Sequence, residues 1–350
     1  MTISQSKDPT LYQSLDTIKV FFIILVIARH IHWYFHIPRI KIIYIGILSL
    51  VDIFMGFIFL MSGLGLSLSM HKKPIRPMAF YLKRFMRIYP LYVFSLFLYM
   101  YFVANIDISN FFVHLLNLHN FFPIYCHNPK PLWFMGIIFQ FYLLFPILFV
   151  LLAKYHHKYV FYSALIYILY ASIILSYEYL SNKAMYISSN LQDVTFIFFL
   201  VQFSAGMYVG RLLYQNDIKQ FNRILRYGHI TFIALFPATM FIVLVFNEET
   251  LYYLFKFLSP IYCFATTSVC LSLLHRFINR SILGFFSRIS SCIFATYLFH
   301  EFILSSFAWI SKSALFGIGL AVPFTLLFGF YLQGFYDKMT GRLNFIMLSR

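Results

Sequence analysis

Acidic residues are scarce in this chain. Asp and Glu together number 11 in 350 residues, and all charged residues make up 11%, where a soluble domain carries roughly a quarter. Long polar tracts are also missing: none exceeds about 30 residues, too short for an appended soluble domain. There is no G-x-S-x-G elbow, no H-E-x-x-H pair and no P-loop, so hydrolase, zincin and ATPase readings lack support. The four cysteines, Cys126, Cys263, Cys270 and Cys292, form no C-x-x-C pair, and neither a disulfide nor a metal is demanded. The net charge of +16 comes without a basic arm interleaved with aromatics, which argues against nucleic acid. The first apolar run is followed by no small-residue cleavage site and reads as a retained span. No internal repeat is visible, which weakens a transporter reading.

What the chain has in excess is apolar sequence. Hydrophobic residues reach 61%, with mean hydropathy +0.79, and apolar runs recur from end to end. One water-soluble core cannot bury that surplus, so the expected fold is an all-α, polytopic transmembrane helical bundle over 1–350. Ten spans are expected, at about 17–37, 44–70, 88–104, 132–153, 159–177, 194–213, 229–246, 252–274, 283–306 and 313–336. The segment 105–131 is too polar to span and has a short interfacial helix in "FFVHLLNLHNFF". With the N-terminus in the cytoplasm, alternate loops hold most of the 27 basic residues. The opposite loops hold only Arg39, Lys41, Lys130, Lys183 and Lys312. This asymmetry places both termini in the cytoplasm.

Ionisable residues inside the apolar runs are the candidates for function, because burying them in lipid is costly. Lys19 and His30 stand eleven residues apart. At 100° per residue they share one helix face, separated by about 16 Å along the axis. Asp16 lies one turn before Lys19 near the same face. A neutral core histidine and a catalytic base are both open readings of His30. His32 and His36 fall nearer the outer interface with Trp33 and Tyr34, and Arg29 points about 100° away from His30, as a bundle ion-pair partner would.

Arg84 and Arg87 are one turn apart and can face one ligand. Their planar forks suit phosphate, whereas the neighbouring Lys72, Lys73 and Lys83 suit a positive-inside anchor. Trp133 reads as an interfacial anchor, and Gln140 as a bundle-facing group that needs a partner. Ser62 lies among Gly56, Gly63 and Gly65, and Ser287, Ser290, Ser291 and Thr296 mark another stretch of small residues suited to close helix contact. For Asp16, Ser62, Trp133, Gln140, Tyr142 and His300, acceptor-binding and structural readings stay open. His300–Glu301 sits near the outer face.

Five segments, in order and over nearly the whole chain, resemble the acyltransferase-3 family of integral membrane acyltransferases. They are "SLDTIKVFFIILVIARH", "FMGFIFLMSGLGLS", "FYLKRFMRIYPLY", "LWFMGIIFQFYLLFPIL" and "LGFFSRISSCIFATYLFH". The family includes bacterial O-antigen and exopolysaccharide O-acetyltransferases. Two positions depart from its pattern: Lys19 stands where the family usually has Arg, and Gln140 where it usually has Glu. The resemblance implies transfer of an acyl group, commonly acetyl, from cytoplasmic acyl-CoA to a hydroxyl of a surface polysaccharide or an undecaprenyl-linked sugar, with no bound cofactor. It implies His30 as general base, Lys19 as a donor-orienting or charge-stabilising group, and Arg84 and Arg87 on the CoA phosphates. The location implied is the bacterial cytoplasmic membrane. A transporter and a non-catalytic partner in polysaccharide assembly are the competing readings. The acyl group, the acceptor sugar and the oligomeric state stay open, as does the choice between direct transfer and an acyl-histidine.

Overall fold

The computed structural model describes residues 9–35, 41–103, 108–121, 132–181, 195–245 and 257–348. His36 and Cys126 lie outside them, and Trp33 is described only in its backbone. The described residues are helical, with no β-strand among them. In chain order the helices are α1 (Pro9–Tyr34), α2 (Lys41–Lys72), α3 (Pro77–Leu98), α4 (Ile108–Leu115), α5 (Trp133–Tyr155) and α6 (Lys158–Ser181). There follow α7 (Leu200–Gln215), α8 (Ile218–Val245), α9 (Ser259–Phe277), α10 (Arg280–Ser290), α11 (Ile293–Ile310) and α12 (Val322–Leu348).

Among the described residues, six helical stretches are long and apolar enough to cross a membrane: Pro9–His32, Pro77–Phe102, Trp133–Tyr155, Phe196–Gln215, Ile293–Ile310 and Ala314–Thr340. Lys158–Ile174 is a shorter apolar helix. Two expectations change in detail. The third span begins at Pro77, eleven residues before the expected 88, because Pro77 occupies the first turn, where its missing N–H costs nothing. Arg84 and Arg87, expected one turn apart, stand so within α3.

The second change is in the ninth span, expected as one helix over 283–306. It breaks between Ser290 and Ile293. Ser290 Oγ donates to Ser287 O and Ser291 Oγ to Arg288 O, both at 2.8 Å, while Cys292 N–H donates to Ile289 O. These local bonds draw carbonyls away from the helical ladder.

The segment 105–131, expected to hold a short helix, does so. Its described part, α4 with a single turn at His119–Phe121, buries Asn110, His114, His119 and Asn120. This segment is seated in the bundle: Asn120 Nδ2 donates to Trp133 O at 2.9 Å, and Tyr92 donates its hydroxyl to His114 O at 2.6 Å.

The closest helix pair is α2 with α7. A Cβ at Gly63 would stand 2.2 Å from Phe203 O, one at Gly206 1.9 Å from Leu60 O, and one at Gly210 2.6 Å from Leu64 O. Gly206 and Gly210 form a G-x-x-x-G repeat on α7 that lets the backbones touch. Gly65, grouped with these glycines in the sequence, faces open space. Gly206→Val is expected to destabilise the chain by at least about 1–3 kcal/mol, whereas Gly65→Ala leaves stability unchanged. Thermal unfolding of the two variants in lipid nanodiscs checks this.

α1 runs parallel to α10–α11. Asp16 meets Ser287 at one end and Tyr34 meets Glu301 at the other, so both strands of contact climb together. That register decides what stands beside His30.

Candidate active site

His30 on α1 faces His300 on α11. The ring centroids are 4.7 Å apart and the planes cross at 82°, an edge-to-face contact between residues 270 positions apart. His300 is fully buried. Its Nδ1 lies 2.5 Å from Tyr297 O, and since a carbonyl oxygen only accepts, Nδ1 carries the proton. In the neutral ring the lone pair then sits on Nε2, which is shielded from solvent and bonded to nothing among the described residues. The ring of His30 is half-buried, with Nδ1 shielded. A lone core histidine would need one hydrogen-bond partner; two imidazoles turned on each other make a site that can take up and release a proton.

A carboxylate follows His300 in the chain. Glu301 is only 4% exposed, and Tyr34 donates its hydroxyl to Glu301 Oε1 at 2.7 Å. Tyr34 follows His30 by four residues, so the two share a face of α1, about one turn apart. Tyr99, completely buried, accepts the Phe302 N–H at 3.1 Å on its hydroxyl and so fixes α11 at this level. Sequence reasoning left Glu301 undecided and took Tyr34 for an interfacial residue. An acidic residue in a chain with 11 of them, set inside an apolar run, was the signal that could have marked Glu301.

Lys19 belongs to a second polar cluster. Its Nζ lies 2.7 Å from Asp16 Oδ1, and Ser287 donates to Asp16 Oδ2 at 2.8 Å. Lys19 and Asp16 are about a quarter exposed, at 29% and 25%. The eleven-residue separation leaves about 16 Å between this cluster and His30 along the helix. The two share a face of α1, as the periodicity implied, without touching the same reacting bond.

The other candidates are dispersed. Arg84 is half-buried at the end of the bundle that carries most of the basic residues, with its guanidinium 5.5 Å from the Phe80 centroid and 5.9 Å from the Tyr142 centroid. Arg87, one turn on, is exposed. Trp133 stacks on Phe199 inside the bundle, with centroids 6.1 Å apart. Ser62 is half-buried on α2. Gln140 Oε1 accepts the backbone N–H of Phe196 at 3.0 Å, so it supplies an acceptor to the turn that opens α7. Glu would supply the same acceptor. Gln140→Glu is therefore expected to fold as the parent does, whereas Gln140→Leu orphans the Phe196 N–H and costs about 1–3 kcal/mol. Melting temperatures of the two variants decide it.

A further pair of histidines escaped sequence reasoning. His114 and His119 are fully buried and stacked, with centroids 4.1 Å apart and planes 18° from parallel. His119 Nε2 is 3.0 Å from Leu132 O. The pair lies near the start of α5, whose Phe134 contacts Tyr297 at 4.9 Å, and Tyr297 contacts His300 at 5.5 Å. Among the described residues no group of three or more His, Cys, Asp or Glu could hold a metal ion.

The helices and the site together define a multi-pass membrane protein with ionisable side chains gathered inside its bundle. A model of a protein family, described as an acyltransferase domain, matches residues 12–339. The chain belongs to the acyltransferase-3 family and is a membrane acyltransferase. Comparison with curated proteins and with solved structures gave no match.

Proposed function

We propose that this protein is an O-acyltransferase. It moves an acyl group, acetyl first among candidates, from acyl-CoA to a hydroxyl of a bacterial surface polysaccharide or undecaprenyl-linked sugar such as O-antigen. The observation that carries this reading is the His30–His300 pair with Glu301 beside it, inside the bundle of a chain from an acyltransferase family. His30 takes the proton of the acceptor hydroxyl as that oxygen attacks the thioester carbonyl; the carbonyl–sulfur bond then breaks, and CoA leaves as the thiol once it regains a proton. The carboxylate of Glu301, oriented by Tyr34, favours the imidazolium that forms. Full burial of His300 beside the half-buried His30 supports a base screened from bulk water.

The basic end of the bundle is cytoplasmic in this reading, and both termini lie there, in the inner membrane of a bacterium. Arg84 and Arg87 receive donor phosphates at that end. Lys19, held by Asp16 in the inner part of α1, lies along the path of the pantetheine arm towards His30, where it can bond the amides of that arm. The acceptor then approaches from the opposite end, beneath the packed segment 108–121.

The test is acyl transfer by the purified chain in nanodiscs, with acetyl-CoA and the glycan of its source organism. A glycan mass gain of one acetyl group, matched by release of free CoA thiol, is the expected result. Movement of a lipid-linked sugar across proteoliposomes with no acylation would favour a transporter. Neither activity would favour an assembly partner.

A further inference from the structure

At the basic end of the bundle the aromatic side chains form a ladder across four helices. Phe80 of α3 stacks on Phe145 of α5 at 5.0 Å, and Phe145 meets Phe149 at 5.7 Å. Phe149 meets His71, at the end of α2, at 4.8 Å. His71 then lies almost parallel on Tyr214 of α7, with centroids 5.1 Å apart and planes at 14°. Each end of the ladder carries a guanidinium. Arg84 sits over Phe80, and Arg211 lies by His71, donating from Nη1 to Leu152 O at 3.0 Å and from Nε to Gln215 Oε1 at 3.4 Å.

Three features of this ladder bear on binding. His71 Nε2 and Arg84 Nε are shielded from solvent and make no hydrogen bond among the described residues. Tyr214 is 49% exposed, so one face of the last ring is open. Burial, and after it the charge of Arg211, lowers the His71 pKa from its usual value, so the imidazole is neutral at pH 7 and stacks without charge repulsion from Arg211. An uncovered ring backed by a rigid stack, with a guanidinium next to it, is a platform for a base joined to a phosphate.

We propose that Tyr214, His71 and Arg211 form the subsite for the nucleotide end of the donor, with the purine on the open face of Tyr214 and the ribose 3′-phosphate at Arg211. The ladder separates Arg211 from Arg84, which leaves Arg84 and Arg87 for the pyrophosphate. The inference rests on the acyl-CoA reading above. A phosphate at Arg211 could also belong to an anionic lipid headgroup, so the experiment separates the two sources.

The full chain in nanodiscs of zwitterionic lipid is titrated with CoA and with dephospho-CoA, which lacks the 3′-phosphate. The parent is expected to bind CoA roughly tenfold tighter than dephospho-CoA. Arg211→Gln erases that preference, while Arg84→Gln weakens both ligands and keeps it. Tyr214→Ala, at an exposed site that leaves folding intact, weakens both roughly tenfold, and Tyr214→Phe restores them. In the transfer assay the loss appears in KM for acyl-CoA and not in kcat. Parental CoA binding by Arg211→Gln and Tyr214→Ala, with Arg84→Gln impaired, would overturn the subsite and leave the acyl-CoA reading standing. An Arg211 effect seen only in anionic bilayers would also overturn it, in favour of a lipid headgroup. Absence of CoA binding by the parent chain would remove the donor reading and the subsite together.

Discussion

His30→Ala is expected to lower the rate of acyl transfer at saturating acyl-CoA by about 10²–10⁴-fold, the usual worth of a positioned general base. The reason is geometric. His30 projects into the bundle against the buried His300, 4.7 Å away, and no other imidazole stands on that face of α1 within a turn on either side. CoA binding by the variant shows that its fold is kept. Acylation of the glycan by mass, together with CoA binding by the same preparation, checks it. A variant that binds CoA as the parent does and no longer acylates locates the loss in chemistry. Full acylation by His30→Ala would end the assignment of His30 as base.

The second large effect is expected at Glu301. Glu301→Gln preserves the size and the acceptor for Tyr34 but removes the charge, and the transfer rate is expected to fall about 10²-fold through loss of electrostatic stabilisation. Tyr34→Phe removes the 2.7 Å hydrogen bond while leaving the charge. Loss of a charge-assisted bond, worth about 1.5–3 kcal/mol, corresponds to a fall of about 10- to 150-fold. Comparing kcat for the two variants separates the contribution of charge from that of orientation. A parental kcat for Glu301→Gln would mean that the carboxylate only anchors α1 to α11.

Much of this was legible from local sequence. The Lys19–His30 spacing placed both residues on one face of α1 because helical periodicity is a local property. The distance between them followed from the rise per residue and led to two clusters, one at Asp16–Lys19–Ser287 and one at His30–His300. The glycines Gly56 and Gly63 were read as contacts, and both are, since Gly56 packs under Gln202 and Gly63 under Phe203. Gly65 is not, because the face a glycine presents depends on what the neighbouring helix does. The burial within segment 105–131 was not legible for a related reason. Its polar residues speak against a span, and His114, His119 and Asn120 are nonetheless buried, with Tyr92, Leu132 and Trp133 completing their bonds or those of their backbone. Polarity forbids burial only where partners are missing, and partners on another helix cannot be read from the segment itself.

By itself the sequence determined the class: an apolar, helical, acid-poor chain whose motif order belongs to one family of membrane acyltransferases. Hydropathy and helical period are properties of neighbouring residues, and they survive whatever the helices do next. Only the tertiary structure decided which ionisable groups meet. Tyr34 and Glu301 are 267 positions apart and joined at 2.7 Å, and His30 finds His300 by the same parallel run of α1 beside α10–α11. That run continues across the break at Ser290–Cys292, which divides α10 from α11. Burial in an apolar bundle makes each ionisable group seek a partner, and the partner is set by packing across the chain, which no local pattern records.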